Sequence, residues 1–323
     1  MKELVVISGK GGTGKTSLTA SFAVLAGRAV VADCDVDAAD LHLVLSPRIQ
    51  HRAVFVSGHE ARIRADDCNA CGSCAELCRF DAIRRQDRPD RMLTYVIDPT
   101  ACEGCGVCVR FCPRYAIDFE ERECGEWFIS ETRCGPMVHA RLAAAAENSG
   151  KLVSLVREQA RDVARQTGRE LVLIDGAPGI GCPVIASLTG ATATLIVTEP
   201  TVSGRHDLER VAGVTRHFGI PGWVCVNKWD LNPDLTEQIE AAAVAQGLRV
   251  AGRVRYDKAV TAAQVAQRTI VEHATDGVAQ DVGAVWNAFG SSYQDSVARG
   301  SGPSPHRPEV GSPSSSARRF QAT

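Results

Sequence analysis

Leu4-Val5-Val6-Ile7-Ser8-Gly9-Lys10-Gly11-Gly12-Thr13-Gly14-Lys15-Thr16-Ser17 is the stretch that decides the fold. Leu4 to Ile7 are apolar and mostly β-branched, so they read as a buried strand. Gly9 to Thr16 fits G-x4-G-K-[ST], and Ser17 to Gly27 reads as a helix. In that context the loop wraps phosphates: glycines let successive backbone N–H groups face an anion, and the helix N-terminus adds positive potential. Lys15 is expected to reach the β/γ-phosphates and Thr16 to ligate Mg²⁺. Gly9, Lys10, Gly11, Gly12, Thr13, Gly14 and Ser17 complete the expected nucleotide cradle.

Moving outward, Val30-Val31-Ala32 is a second strand, ending at Asp33-Cys34-Asp35-Val36-Asp37. Acids at a strand's carboxyl end lie where α/β folds bind ligands. Leu171-Val172-Leu173-Ile174-Asp175 is a further buried strand, and the Asp175 carboxylate emerging at its end suits Mg²⁺. Gly176 to Gly181 reads as a switch-type loop. Trp223 to Val226 leads into Asn227-Lys228-Trp229-Asp230. Asn227 suits hydrogen bonding to a purine base. The same four residues fit N-K-x-D, in which Asp230 would read guanine.

Two cysteine runs interrupt this pattern. Cys68, Cys71, Cys74 and Cys78 form C-x2-C-x2-C-x3-C, and Cys102, Cys105, Cys108 and Cys112 repeat it 34 residues later. Ile63, Ala82 and Ile83 recur at the same offset as Ile97, Ala116 and Ile117. A zinc site needs four ligands, usually as two C-x2-C pairs, and leaves the other cysteines without a purpose. A disulfide framework suits a small secreted chain. The segment closely resembles a bacterial-type ferredoxin, except that Arg79 stands where the second run has Pro113. That resemblance implies two [4Fe–4S] clusters, with the fourth cysteine of each run serving the other cluster. Cys68, Cys71, Cys74 and Cys112 would hold one, and Cys102, Cys105, Cys108 and Cys78 the other.

The K-G-G-x-G-K-T form of the phosphate loop, the strand ending in Asp175, Asp175 to Pro183 and Gly135 to Leu142 together resemble the MinD/ParA superfamily of P-loop ATPases. The match extends to members with an inserted ferredoxin domain and covers about residues 1–290. It implies an ATP-dependent homodimer in which Lys10 reaches the partner's phosphates, as an arginine finger supplied in trans does. A lysine serving its own subunit is the alternative. The resemblance also implies that Asp35 orients the attacking water, that Asp33 sits near Mg²⁺, and that the base is adenine. Members of the group it resembles usually carry proline where Arg255 stands.

The implied fold is α/β: a P-loop NTPase with a mostly parallel sheet, helices on both faces and a small inserted α+β ferredoxin domain. The expected divisions are residues 1–57 and 123–290 for the ATPase, 58–122 for the insert, and 291–323 for a disordered tail rich in Ser, Gly, Pro and Arg. Net charge is −2, so nothing points to nucleic acid or to a membrane surface. Thirteen cysteines, eight of them needed as thiolates, imply a reducing compartment. No apolar run is long enough to span a bilayer. Met1 to Ser8 reads as a strand rather than a signal peptide, so a cytoplasmic location is expected. Cys34 and Cys225 read as core residues, and Cys124, Cys134 and Cys182 fit no ligand pattern.

The function these features imply is a nucleotide switch that couples ATP hydrolysis to electron transfer with an unidentified redox or client protein. Two alternatives remain: a factor that delivers iron–sulfur clusters or metal cofactors, and a MinD/ParA-like positioning ATPase. The first lacks a C-x-x-C pair outside the insert. The second lacks a basic amphipathic C-terminal helix.

Overall fold

The computed structural model describes residues 1–89, 92–143 and 148–299. In chain order the ATPase part opens with β1 (Lys2–Ser8), α1 (Lys15–Ala26), β2 (Ala29–Asp33) and α2 (Leu41–Leu45). The cysteine region follows as β3 (Arg48–Ile63), α3 (Ser73–Leu77), β4 (Ile83–Asp87), β5 (Leu93–Ile97), α4 (Val107–Arg110) and β6 (Ile117–Thr132). The chain then returns through β7 (Gly135–Leu142), α5 (Ser149–Thr167), β8 (Leu171–Pro178), α6 (Cys182–Leu188), β9 (Ala193–Thr198) and α7 (Val202–His217). It closes with β10 (Gly222–Asn227), α8 (Pro233–Ala245), β11 (Arg249–Val254), α9 (Lys258–Val265), α10 (Ile270–His273) and α11 (Val278–Arg299).

Nine strands form one sheet in the order β11-β10-β9-β1-β8-β2-β7-β6-β3. From β11 to β7 neighbouring strands are parallel, while β6 runs antiparallel to both β7 and β3. Alternation along β1 explains the layers. Val5 and Ile7 enter one core with Leu152, Val184, Leu208 and Ile239 from α5 to α8. Leu4 and Val6 enter the opposite core with Leu18, Phe22 and Phe289 from α1 and α11. This is the α/β architecture expected, with helices on both faces. Cys34 and Cys225 are fully buried within these two layers.

The sheet's far edge carries the cysteine unit. β3 and β6 are 16 residues each and pair from Arg48↔Glu131 to Ile63↔Ile117. Only Gly125–Thr132 of β6 also pairs with β7, so the rest of the hairpin projects beyond the sheet. The divisions expected at 57/58 and 122/123 therefore fall inside two strands that run through both points. The register breaks at Phe55/Val56 and Val56/His59, beside Gly58 at φ 77° and Gly125 at φ 157°. A Cβ at Gly125 would lie 2.5 Å from the Arg141 carbonyl oxygen, so glycine is required there.

Beyond the hairpin the repeat is visible in the backbone. Gly72 and Gly106 cap α3 and α4, both left-handed. Asp81 and Tyr115, also 34 apart, sit at φ 52° and 51°. Among the described residues, Ala61, Ile97, Cys108 and Ile117 form this unit's own buried cluster, and Ala82 and Ala116 are buried as well. At the other end of the chain α11 continues to Arg299, into the segment expected to be disordered. No glycine or proline falls between Ser291 and Arg299, whereas Gly300, Gly302 and Pro303 follow. Residues 300–323 of that expected tail lie outside the described residues.

Candidate functional site

The phosphate loop turns where packing leaves room only for glycine. A Cβ at Gly9 would lie 2.4 Å from Asp207 Cβ, and one at Gly14 (φ 89°) 2.3 Å from Asn227 Nδ2. A cleft of about 650 Å³ opens over the loop, lined by Gly11 to Ser17, Asp35, Asp40 and Gln264. A second cavity of about 240 Å³ shares Gly12, Gly14, Ser17 and Gln264 with it and continues to Asn227, Arg255, Tyr256 and Val260. The two cavities adjoin at these four shared residues.

The charged groups in the cleft are paired with one another. Lys15 Nζ lies 2.9 Å from Asp175 Oδ1 and 3.5 Å from Asp35 Oδ2. Thr16 Oγ1 donates to Asp175 Oδ2 at 2.7 Å, and Thr19 Oγ1 to Asp175 Oδ1 at 2.9 Å. Burial works to lower Lys15, but the Asp175 and Asp35 carboxylates outweigh it and hold the ammonium above its usual range. Burial raises Asp35 against the pull of Lys15. Asp33 lies beneath the cleft, fully buried, and accepts from the backbone N–H groups of Asp35 and Leu41. Complete burial, with Asp175 beside it, pushes its carboxyl well up. Asp33 and Asp175 thus lie together beneath the cleft, both fully buried and neither among its lining residues. Thr13 Oγ1 is buried and has no hydrogen-bond partner among the described residues.

Lys10 faces its own subunit. Its Nζ lies 3.6 Å from Glu199 Oε2, 3.4 Å from Thr201 Oγ1 and 3.1 Å from Ser203 Oγ. Glu199 also holds Lys228. Asn227 Nδ2 donates to the Thr13 carbonyl at 2.8 Å, tying the end of β10 to the phosphate loop. Asp230 is not a lining residue: its carboxylate accepts from Tyr256 N at 2.7 Å. Arg255 is held by Asp281 of α11. Sequence reasoning missed Thr19, Gln264 and Glu199. Thr19 was the accessible one, four residues after Lys15 on the same face of α1. Gln264 donates to Ser17 Oγ at 2.8 Å across 247 positions, a distance no local pattern spans.

The eight cysteines line two small cavities. One is ringed by Cys68, Cys71, Cys74 and Cys112, the other by Cys78, Cys102, Cys105 and Cys108. Each ring takes three cysteines from one run and the fourth from the other run. Burial, with Cys102 beside it, pushes the Cys108 thiol up to about 11. Among the described residues no three His, Cys, Asp or Glu side chains converge closely enough for a single metal ion. His139 is packed rather than exposed to the cleft. It bonds Ser130 at 2.9 Å and stacks on Phe128, and burial lowers it to about 4. Cys124 Sγ donates to the Ser57 carbonyl at 3.2 Å, and Cys182 is exposed at the start of α6. No described helix is long and apolar enough to cross a membrane.

A doubly wound sheet with a phosphate loop after its central strand defines a P-loop nucleotide-binding protein. Residues 4–270 match the family model described as the CobQ/CobB/MinD/ParA nucleotide binding domain, and the chain belongs to that family. It is a P-loop ATPase. An uncharacterised protein of Methanocaldococcus jannaschii is 34% identical over 71% of this chain and 79% of its own length. Among solved structures, the cell division ATPase MinD of Pyrococcus furiosus aligns with a TM-score of 0.52 at 16% identity, covering 90% of this chain and 99% of that one. MinD of Pyrococcus horikoshii, complexed with Mg-ADP, gives 0.53 at 16% identity over 88% and 94%.

Proposed function

We propose that this chain is an ATP-driven switch that carries two [4Fe–4S] clusters in its inserted unit and couples nucleotide state to electron transfer with a partner protein. The observation that carries the reading is the pair of cysteine-lined cavities. Each ring holds four thiols, and a ring around a space suits a multi-atom centre better than a single ion. The crossed membership of the rings is the pattern of two-cluster ferredoxins. When bound, the clusters supply one-electron transfer. Cys68, Cys71, Cys74 and Cys112 would hold one, and Cys78, Cys102, Cys105 and Cys108 the other.

At the cleft, Thr16 and Asp175 present adjacent oxygens that suit Mg²⁺, and Lys15 is poised to exchange its carboxylate partners for β/γ-phosphates. Asp35 lines the same cleft and would orient the attacking water. Lys10 would leave Glu199 and act on a second protomer's nucleotide in an ATP-dependent dimer. Adenine fits better than guanine, because Asp230, which would read guanine, is not among the residues lining the cavity of Asn227. The insert, residues 58–122, is the redox unit of this scheme, and residues 1–57 and 123–290 are its motor.

Iron analysis and visible spectroscopy after anaerobic purification test the reading. About eight irons per chain are expected, with Cys71→Ala and Cys105→Ala each losing about half. Stoichiometric zinc, or one iron per chain, overturns it.

A further inference from the structure

We propose that the exposed face formed by Arg110, Phe111, Arg114 and Tyr115 is the docking surface for an acidic redox protein. The proposal deepens the electron-transfer reading and rests on it for what the partner exchanges. The internal repeat supplies the argument, because it provides a built-in control. Residues 34 positions earlier, Glu76, Leu77, Phe80 and Asp81, occupy the equivalent places on the same backbone. The first face is basic and aromatic, and its counterpart acidic and more aliphatic. The fold does not demand this difference, since the two halves share their strands, their one-turn helices and their left-handed positions.

Nothing in the fold rewards the aromatic residues. Phe111 is 58% and Tyr115 81% exposed. Tyr115 also holds φ at 51°, a conformation its counterpart Asp81 adopts with less strain than a bulky aromatic does. The charges are equally uncommitted. Nearby Arg64 pairs with Asp67 and Asp118, and Arg88 with Asp66. Arg110 and Arg114 are exposed and make no ion pair among the described residues. Two free guanidinium groups flanking two exposed rings are the residue types that anchor protein interfaces, and their charge selects an acidic partner.

The face also adjoins one particular thiol ring. Pro113 and Arg114 line the cavity of Cys68, Cys71, Cys74 and Cys112, together with Ile63 at the far end of β3. The other ring includes Ala61, and its loop at Gly104 packs on His59, nearer the ATPase sheet. A partner on the basic face therefore meets the ring farther along the hairpin.

Binding of two defined redox proteins to the anaerobically reconstituted holoprotein tests this: an acidic plant-type [2Fe–2S] ferredoxin and basic cytochrome c. Calorimetry at low ionic strength should show the ferredoxin binding, with affinity falling steeply as salt is added. Arg110→Glu/Arg114→Glu should weaken it at least about tenfold and flatten the salt dependence. Tyr115→Asn, neutral and tolerant of the positive φ, should weaken it about threefold or more and keep the salt slope. Glu76→Lys/Asp81→Lys should leave affinity within about twofold. Wild-type affinity in the arginine double variant, equal loss in the Glu76/Asp81 variant, preference for cytochrome c, or no ferredoxin binding overturns the proposal. So does self-association of the chain that either charge reversal abolishes, since the occupant would then be a second copy. Iron content is measured on the same samples. Loss of binding on arginine reversal in a protein without clusters keeps the docking surface and removes the electron-transfer reading.

Discussion

Around β1, Leu4, Val5, Val6 and Ile7 are almost completely buried, with helical layers above and below them. Around the cysteine loops, the buried apolar set among the described residues shrinks to Ala61, Ala82, Ile97, Cys108, Ala116 and Ile117. Apolar burial of the first kind stabilises by roughly 25 cal/mol per Å² and needs no ligand. The second kind is below what a unit of that size requires, and such units depend on metal or on cross-links. The charged groups show the same contrast. In the nucleotide cleft Lys15, Asp35, Asp175 and Thr16 satisfy one another. The cysteine rings face their cavities. One region is prepared to exchange partners, and the other, on the proposed reading, would be completed by the clusters.

The largest expected effect separates the two regions directly. Removing iron with a chelator under anaerobic conditions should strip hydrogen-exchange protection from residues 64–116 by several kcal/mol. β1 and β8 should keep theirs. Equal loss of protection in both regions would mean that the ATPase sheet also leans on the insert.

Next in size is Lys15→Ala, which should reduce ATP hydrolysis at least about a hundredfold by removing the phosphate clamp. Iron content should stay at the wild-type level. If iron falls with hydrolysis, the two regions are not independently assembled.

Coupling between them should be smaller, about 1–3 kcal/mol. For a one-electron couple 1.4 kcal/mol is about 59 mV, so a slowly hydrolysed ATP analogue should shift the cluster midpoint potential by tens of millivolts. Identical potentials with and without nucleotide would leave the two regions merely joined.

The smallest effect belongs to the ATPase part alone. Arg133 of the β6–β7 turn pairs with Glu272 of α10 and holds that carboxyl down at about 2, against an ordinary 4.5. A depressed folded-state value contributes stability above the unfolded value, lost as pH falls from about 4.5 to about 2. Glu272→Gln should cost about 1 kcal/mol at neutral pH and flatten the acid dependence in that window. Acid titration monitored by tryptophan fluorescence should show this without any change in iron content.

Local patterns were the legible part. Four apolar residues before a glycine loop, or four cysteines at fixed spacing, carry their meaning within a dozen positions. Asp175, Lys15 and Asp35 were accordingly foreseen and meet in space. Glu199 carries no local signal, although it holds both Lys10 and Lys228, because such partners lie far apart in sequence. The β3–β6 hairpin was the main structural feature missed. Arg48 to Ser57 mixes exposed Ile49, Val54 and Val56 with charged residues, as an edge strand does, so no clean alternation marks it. The expected divisions therefore fell in mid-strand. Asp230 matched a base-reading motif whose spacing is local but whose meaning depends on Tyr256, and that contact was invisible in sequence.

The continuous hairpin also sets how the inserted unit can search for anything. A domain on a flexible tether samples a volume that grows with linker length, and its encounters are governed by effective concentration. Two paired strands leaving the same sheet edge have no such volume. A two-stranded ribbon accommodates twist most readily, and the register breaks beside Gly58 and Gly125 put the compliant point at its root. Bending and twisting at that root are then what the hairpin leaves to the cysteine unit. A partner docked at the tip, as proposed above, would turn with it.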